Sequence, residues 1–530
     1  MPARTKVLLI SMPDQILLFN WLGYFIPNLG LTSLAGNVDK RYCEVKILDL
    51  VYKARGVTRT LIDIIREHNP DLVGLTAMSF QFASAVKAAR IIKSINPRIK
   101  IMIGGYHAAL NSEEIVASQD SQPFDFIIRG EGEETFSELI EAFTLGRGPY
   151  NSIKGLTFRV NGEFHSNPSR ELIDLSSIAL PDRSTRIFSY VQTGFNPGLD
   201  VVETSRGCYM SCNFCSIMKM YGKSFRTYDL ERVIEDIRII KSMGGKRIIF
   251  VDDNITLDVA RLERLCHAIV EAGLNDIRYG TQASSTGIAS SEELVRAMKA
   301  ANFTSVFLGI ENISPERLHA MRKGNIVNHS IKAVEMLNRY EIGIMGGFII
   351  GLPDDRREDI KNIFDFCRKY DIDIPVLQCV TPYPKTEQRE HLLKEGLVIN
   401  PHDFSKYNGL QVNVRTKHLT MRQIERERNK GYFFFLLRVF LFGKSKYLKK
   451  SFHNVPNFAR IYMAAMLSSV ILFILLFSKK WSSVSHCRFE TYSEKMLSPF
   501  RSLQNLFSRH RIQKEASPLP HARLETEKEN

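Results

Sequence analysis

The chain has 530 residues, 44% hydrophobic and 24% charged, with a formal net charge of +14 and only eight cysteines. That length and balance exclude a disordered chain and a small disulfide-stapled one, and leave room for more than one domain. The excess charge is local: residues 401–530 hold 23 Lys and Arg against 9 Asp and Glu, while the preceding 400 hold 48 of each, so the neutral body has no nucleic-acid-binding signature.

The first 150 residues alternate short apolar runs with helical spans. Lys6–Ile10, Val45–Leu48, Leu72–Leu75, Ile99–Ile103 and Phe126–Ile128 are expected to be buried parallel strands. This is the rhythm of a flavodoxin-like, doubly wound sheet, whose ligands lie at the carboxyl ends of strands. The loops expected there are Ser11–Pro13, Thr76–Ser79, Gly104-Gly-Tyr-His107 and Gly130-Glu-Gly-Glu133. Glycines at such ends let backbone approach a flat ligand without Cβ interference. Residues 151–190 should form a hairpin and linker. Asn161-Gly162 between alternating residues signals the hairpin turn, and Leu180-Pro-Asp-Arg183 reads as irregular.

Cys208, Cys212 and Cys215 stand in a C-x₃-C-x₂-C spacing. A loop of that size can aim three thiolates at one small cluster, one fewer than close an ordinary iron–sulfur site. A zinc site would need a fourth ligand, and no His or Cys lies at a suitable spacing nearby. Cys43, Cys266, Cys367, Cys379 and Cys487 are scattered and read as buried structural thiols.

From 191 to 400 the β-α rhythm repeats six times. Strands are expected at Val201–Thr204, Arg247–Val251, Ile277–Thr281, Ser305–Ile310, Gly343–Ile350 and Ile374–Val380, with helices such as Asp229–Met243 and Glu292–Ala300 between them. In barrels of this kind the chemistry sits at the carboxyl ends of strands. Polar groups cluster there: Asp252 and Asp253 after the second, Gln282 and Ser284 after the third, and Glu311 after Gly309 on the fourth. The alternative for the two aspartates is to cap the following helix.

Cys208-Tyr-Met-Ser-Cys-Asn-Phe-Cys215 closely resembles the signature of the radical S-adenosylmethionine (SAM) enzymes. The segment before the barrel resembles the cobalamin-binding domain of the B12-dependent members, at Pro27-Asn-Leu-Gly-Leu-Thr-Ser-Leu-Ala35, the Gly-Gly-x-His stretch and the Gly-Glu-Gly-Glu stretch. The resemblance implies a partial TIM-like (β/α)6 barrel with a 4Fe-4S cluster on Cys208, Cys212 and Cys215. The open iron would chelate SAM, whose cleavage gives a 5′-deoxyadenosyl radical. It further implies SAM-binding roles for Asp252 and Asp253 (methionyl ammonium), Gly309 and Glu311 (ribose), Phe214 and Gly351 (adenine side), with Gln282 and Ser284 reaching ribose or substrate. Cobalamin contacts are expected from Gly104, Gly105, His107, Gly130 and Glu131. The D-x-H-x-x-G motif that supplies a cobalt-ligating histidine in many cobalamin proteins is absent, so His107 is expected to serve as a loop hydrogen-bonder. A domain with no ligand at all is the alternative. Only Cys43 precedes Cys208, which disfavours the methylthiotransferases with their extra upstream cluster.

The activity implied is methylation of an unactivated carbon in a lipid-like or other apolar substrate, fed by an electron donor such as flavodoxin or ferredoxin. Radical ring closure or oxidation, as in anaerobic porphyrin cyclases, is the same-fold alternative. A non-catalytic cobalamin sensor is the alternative of another class. The C-terminal part divides into a basic helical region at 401–455, a hydrophobic segment at 456–481 and a polar, disordered tail at 482–530. Ile461–Phe477 runs seventeen residues without a charge between Arg460 and Lys479-Lys-Trp481, about 26 Å of helix, at the short limit for a bilayer span. It is expected to span the membrane, lie in its interface or pack as a buried helix. The location expected is therefore cytoplasmic and membrane-associated.

Overall fold

The computed structural model describes residues 3–14, 26–53, 56–148, 150–188 and 198–442, with backbone alone from 436 to 442. Its first sheet is built on β1 (Thr5–Ser11), β2 (Cys43–Asp49), β3 (Leu72–Thr76), β4 (Lys100–Gly104) and β5 (Phe126–Ile128), all parallel, in the order β2-β1-β3-β4-β5. That is the flavodoxin-like winding. Alternation along β1 sorts its side chains between two cores: Leu8 and Ile10 join Leu61 and Ile92 on one face, Val7 and Leu9 join Leu31 and Phe136 on the other. The hairpin forms, with Asn161 and Gly162 both at positive φ (50° and 91°) as its turn type requires. Its strands β6 (Leu156–Val160) and β7 (Glu163–Ser166) do not stand apart as a connector. β6 extends the first sheet antiparallel to β5, and β7 follows antiparallel to β6, so that sheet runs past the expected boundary at 150.

The expected irregular linker is firmly held. Arg183 donates to Asp200 at 3.1 Å and also pairs with Asp236, while Arg186 reaches Asp200 at 2.7 Å. All four side chains are at most 3% exposed. The Ile187 N–H meanwhile donates to the Ile47 carbonyl on the first sheet's edge. Removing one partner from a buried charge network costs about 3–5 kcal/mol, so this stretch fixes the two α/β units against each other.

The second sheet has six parallel strands in the order β8-β11-β12-β13-β14-β15: β8 (Leu199–Val202), β11 (Arg247–Phe250), β12 (Arg278–Ser284), β13 (Phe303–Glu311), β14 (Gly343–Ile350) and β15 (Ile374–Cys379). Helices Leu230–Ser242, Val259–Glu271, Glu292–Ala300, Val327–Arg339 and Arg357–Lys369 cover it, each turning an apolar stripe inward; in Val259–Glu271 the stripe is Leu262, Leu265, Cys266 and Ile269. Phe250, Tyr279 and Phe303 stack inside with centroids 5.5–5.7 Å apart.

Past the last strand the basic region departs from the helical expectation. The only helical turn between 396 and 420 is the short 3₁₀ piece Phe404–Lys406, before helix Met421–Phe442 begins. That helix docks on Arg357–Lys369 through Gly431, where an added Cβ would lie 2.0 Å from the Phe364 ring. The Tyr432 hydroxyl accepts the Leu377 N–H at 2.9 Å, and Phe435 is buried. The start of the apolar run is therefore core rather than membrane surface, although Phe434 is half exposed. Among the described residues no helix is long and apolar enough to cross a membrane. Segments 456–481 and 482–530 lie outside the described residues.

Candidate active site

The three cysteines occupy the loop between β9 (Ser205–Arg206) and the short helix Ile217–Tyr221; β9 pairs antiparallel with β10 (Arg226–Thr227). Gly207 holds φ +89°, and a Cβ there would sit 2.5 Å from the Ser224 carbonyl, so only glycine lets the chain enter the loop. The barrel grips the loop's middle: Asn213 takes the Ala320 carbonyl at 2.8 Å through its amide, its N–H donates to Met321, and its own carbonyl accepts from Gln388. Asn213 Oδ1 is buried without a hydrogen-bond partner. Burial pushes all three thiols up, Cys215 to about 12, and for Cys212 and Cys215 neighbouring thiols push the same way. Three crowded thiols beside the Lys323 ammonium suit a multi-iron cluster, whose irons displace the thiol protons. Among the described residues no three ligands close on a single metal ion. Thiolates on separate corners of a cluster need not converge as zinc ligands must, within about 4 Å of one another. Cys43, Cys266, Cys367 and Cys379 are buried elsewhere; Cys487 lies outside the described residues.

The two aspartates after β11 part company. Asp252 is 1% exposed and accepts from the Thr204 N–H and hydroxyl and the Ser205 hydroxyl. It is a structural anchor, not the ammonium ligand expected. Asp253 faces the cysteine loop, accepts the Gly207 N–H at 2.9 Å, and has its pKa pushed by burial up to about 6. Gln282 steadies this turn by donating to the carbonyls of Asp252 and Asp253 at 2.6 and 3.0 Å. Ser284 caps helix Ser285–Ser290, accepting the Gly287 N–H at 3.1 Å, and shares its hydroxyl with Thr256 at 3.0 Å, so capping is the role the structure gives it.

Glu311 follows Gly309 across a register shift in β13 and sits at φ +64°, a strained position for a side-chain-bearing residue. The Lys323 ammonium donates to it at 3.0 Å. Burial opposes that charge, yet Glu311 and the Cys212 and Cys215 thiols hold the ammonium above its ordinary range. Lys323 was missed in the sequence because only the turn after helix Pro315–Ala320 brings it back to the cysteines. Phe214 packs with the apolar group of Leu318, Ile349 and Leu352. Gly351, at φ +83°, donates its N–H to Asp355 at 2.9 Å, as does Leu352 at 3.0 Å. Cys208, Cys212, Cys215, Asp253, Glu311 and Lys323 thus ring one spot, with Phe214 and Gly351 on its apolar flank.

The carboxyl end of the first sheet is furnished differently. Gly105 (φ +85°) must be glycine for the fold, since a Cβ would lie 2.4 Å from Thr76 Oγ1. Around Gly104 and Gly130 the space is open: a Cβ would meet only Ile128, at 3.8 Å, at the first and nothing within 4 Å at the second. Such a floor fits a broad flat ring such as cobalamin. His107 is 2% exposed, its Nδ1 shared with Ser79 and Asn111 at 3.2 and 3.1 Å, and its ring packs against Phe82 and Phe404. Burial lowers its pKa to about 4. It is a neutral loop hydrogen-bonder. Glu131 corrects another expectation. Arg206 and Arg226 and the Ile173 N–H occupy both of its oxygens, leaving it an ion-pair hub rather than a cobalamin contact.

Residues 17–140 match the B12 binding domain model and residues 202–367 the radical SAM superfamily model. An uncharacterised methyltransferase of Pyrococcus horikoshii is 34% identical over 436 residues, 82% of this chain and 93% of the relative. The chain belongs to the cobalamin-dependent radical SAM family. It is an enzyme, and its cofactors are a 4Fe-4S cluster, SAM and cobalamin. A hopanoid C-3 methylase of Methylococcus capsulatus is 26% identical over 366 residues, 68% of this enzyme and 67% of that one. Among solved folds, the cobalamin-dependent SAM radical enzyme OxsB superposes with a TM-score of 0.65 at 17% identity, over 95% of this enzyme and 75% of that chain. The methyltransferase TsrM of Kitasatospora setae superposes with 0.61 at 18%, over 74% and 78%.

Proposed function

We propose that the enzyme methylates an unactivated carbon of an apolar, lipid-like substrate. The observation that carries the reading is that the two sheet ends meet: Tyr106, between Gly105 and His107 of the first, hydrogen-bonds Ser216, next to Cys215 of the second. When bound, cobalamin supplies a methyl group and the cluster with SAM supplies hydrogen abstraction. The chain's own part is placement. Asp253 would accept from the methionyl ammonium, the Glu311–Lys323 pair would hold ribose and carboxylate, and Phe214 would lie over the adenine. Tyr106 and Tyr383, both partly buried, lie beside Cys215. Tyr209 and Met210, 44% and 40% exposed on the cysteine loop, offer an electron donor of the flavodoxin or ferredoxin kind its approach.

Support for an apolar substrate comes from the likeness to the hopanoid methylase and from the basic, apolar C-terminal sequence. That sequence suits an anionic membrane face in the cytoplasm, each surface cation contributing about 1 kcal/mol. The test is to incubate reconstituted enzyme with a lipid extract under reducing, oxygen-free conditions. A lipid heavier by one methylene, formed along with 5′-deoxyadenosine, is expected. A product lighter by two hydrogens would instead establish ring closure or oxidation. A full-length chain found wholly in the soluble fraction at low salt would remove the membrane from the reading.

A further inference from the structure

The loop that carries the three cysteines is held at both ends by the first domain. At its entrance Arg206 spreads its guanidinium over three carboxylates: Nη1 to Glu131 at 2.9 Å, Nη2 to Glu133 at 2.7 Å and Nε to Glu203 at 2.8 Å. Glu131 belongs to the turn after β5, and Glu133 opens the helix that follows. The β9–β10 pairing sets Arg226 directly across from Arg206, an arrangement that like charges destabilise. Glu131 resolves it by taking both terminal nitrogens of Arg226 at 3.0 and 2.9 Å. At the loop's exit Ser216, 3% exposed, meets the Tyr106 hydroxyl from the turn after β4. Arg206, Glu131 and Glu133 are all less than 10% exposed.

The turns after β4 and β5 are also where the first sheet offers its floor to a ligand. A ligand that shifts either turn bears on Arg206 or Ser216, because hydrogen bonds in a poorly solvated network tie each of them to its turn. We propose that Arg206 and Tyr106 are positioning residues coupling the two cofactor sites, so that cobalamin seated on the first sheet changes the geometry of the cysteine loop and the affinity for SAM. The proposal rests on the assignment of both cofactors to this chain. Linkage makes the effect reciprocal: SAM changes cobalamin affinity by the same factor.

The experiment uses the full chain with its cluster reconstituted, with and without hydroxocobalamin. It reads the electron paramagnetic resonance of the reduced cluster and the SAM dissociation constant, with cobalamin retention followed by absorbance. In the parent, cobalamin should shift the cluster signal and tighten SAM about 10-fold. Tyr106→Phe and Ser216→Ala remove the same bond, so each should reduce that factor and the double variant should lose no more than either alone. Arg206→Lys keeps the charge but cannot serve three carboxylates at once, and should reduce the factor further while cluster and cobalamin are retained. Variants that lose thermal stability but keep the parent's cobalamin-dependent shift show a merely structural role and overturn the proposal. A parent that holds cobalamin while its cluster signal and SAM affinity ignore it overturns the proposal too. A parent that retains no cobalamin overturns the cofactor assignment beneath it as well.

Discussion

The carboxyl ends of the two sheets answer different chemical demands with different materials. The barrel's end is furnished with charge: three thiols, Asp253 and the Glu311–Lys323 pair at 3.0 Å. The first sheet's end has open glycines and a histidine kept neutral by burial. One end suits a small charged ligand bound through its head groups, the other a large flat ring bound over backbone. Side-chain charge dominates where a small charged ligand binds, and shape dominates where a large flat one does.

The largest expected effect breaks the charged end. Cys212→Ala should abolish the intact cluster and reduce 5′-deoxyadenosine to background, whereas Cys266→Ala, in the core of helix Val259–Glu271, should leave both near the parent. Cluster absorbance and a single-turnover assay check the pair; a Cys212→Ala protein that cleaves SAM at the parent rate would reject the cluster assignment. Next is Lys323→Met, which leaves Glu311 without its cation. SAM cleavage should fall about 100-fold, the scale of losing one preorganised electrostatic partner, with Lys323→Arg retaining more, and retained cluster iron shows that the loss lies in SAM handling.

At the quiet end His107 sharpens the contrast. Its folded-state pKa, about 4, lies below the unfolded value near 6.5. The unfolded chain therefore binds the proton first, and stability is lost as pH falls from about 6.5 towards 4, by up to about 3 kcal/mol. His107→Phe should flatten that part of the acid-unfolding profile and leave the cobalt spectrum unchanged; a changed spectrum would make His107 a ligand after all. The smallest effect belongs to Gly130→Ala. A left-handed backbone bearing a Cβ costs about 1 kcal/mol, and the added methyl touches nothing in the protein. A further loss in cobalamin retention is therefore expected from contact with the ligand itself, and unchanged retention would move the ring away from this turn.

Strand positions and the cysteine spacing were legible because each is written locally, in apolar runs and in three residues within eight. The residues misread depend on partners far along the chain. Nothing local distinguishes Asp252 from Asp253; Thr204 and Ser205, 48 and 47 positions earlier, turn the first inward. Glu131 sits in a glycine-rich turn that reads as a ligand site, yet its oxygens are claimed by arginines 75 and 95 residues on. Ser284 carried its own clue, since a serine directly before a helical span is an ordinary N-cap. The Asn161-Gly162 turn announced a hairpin but could not say that β6 would register against β5, because edge pairing is decided by what else the sheet has left open.

The linker network also sets an order of events during synthesis. Arg183 and Arg186 leave the ribosome before Asp200, and well before Asp236, so the first sheet can close while these two cations are still in water. They can be desolvated only once β8 and helix Leu230–Ser242 arrive with the carboxylates. A nascent chain that stalls before residue 236 should therefore carry a finished first domain with a loose, protease-sensitive edge beside β2, which only the barrel's first unit can seal.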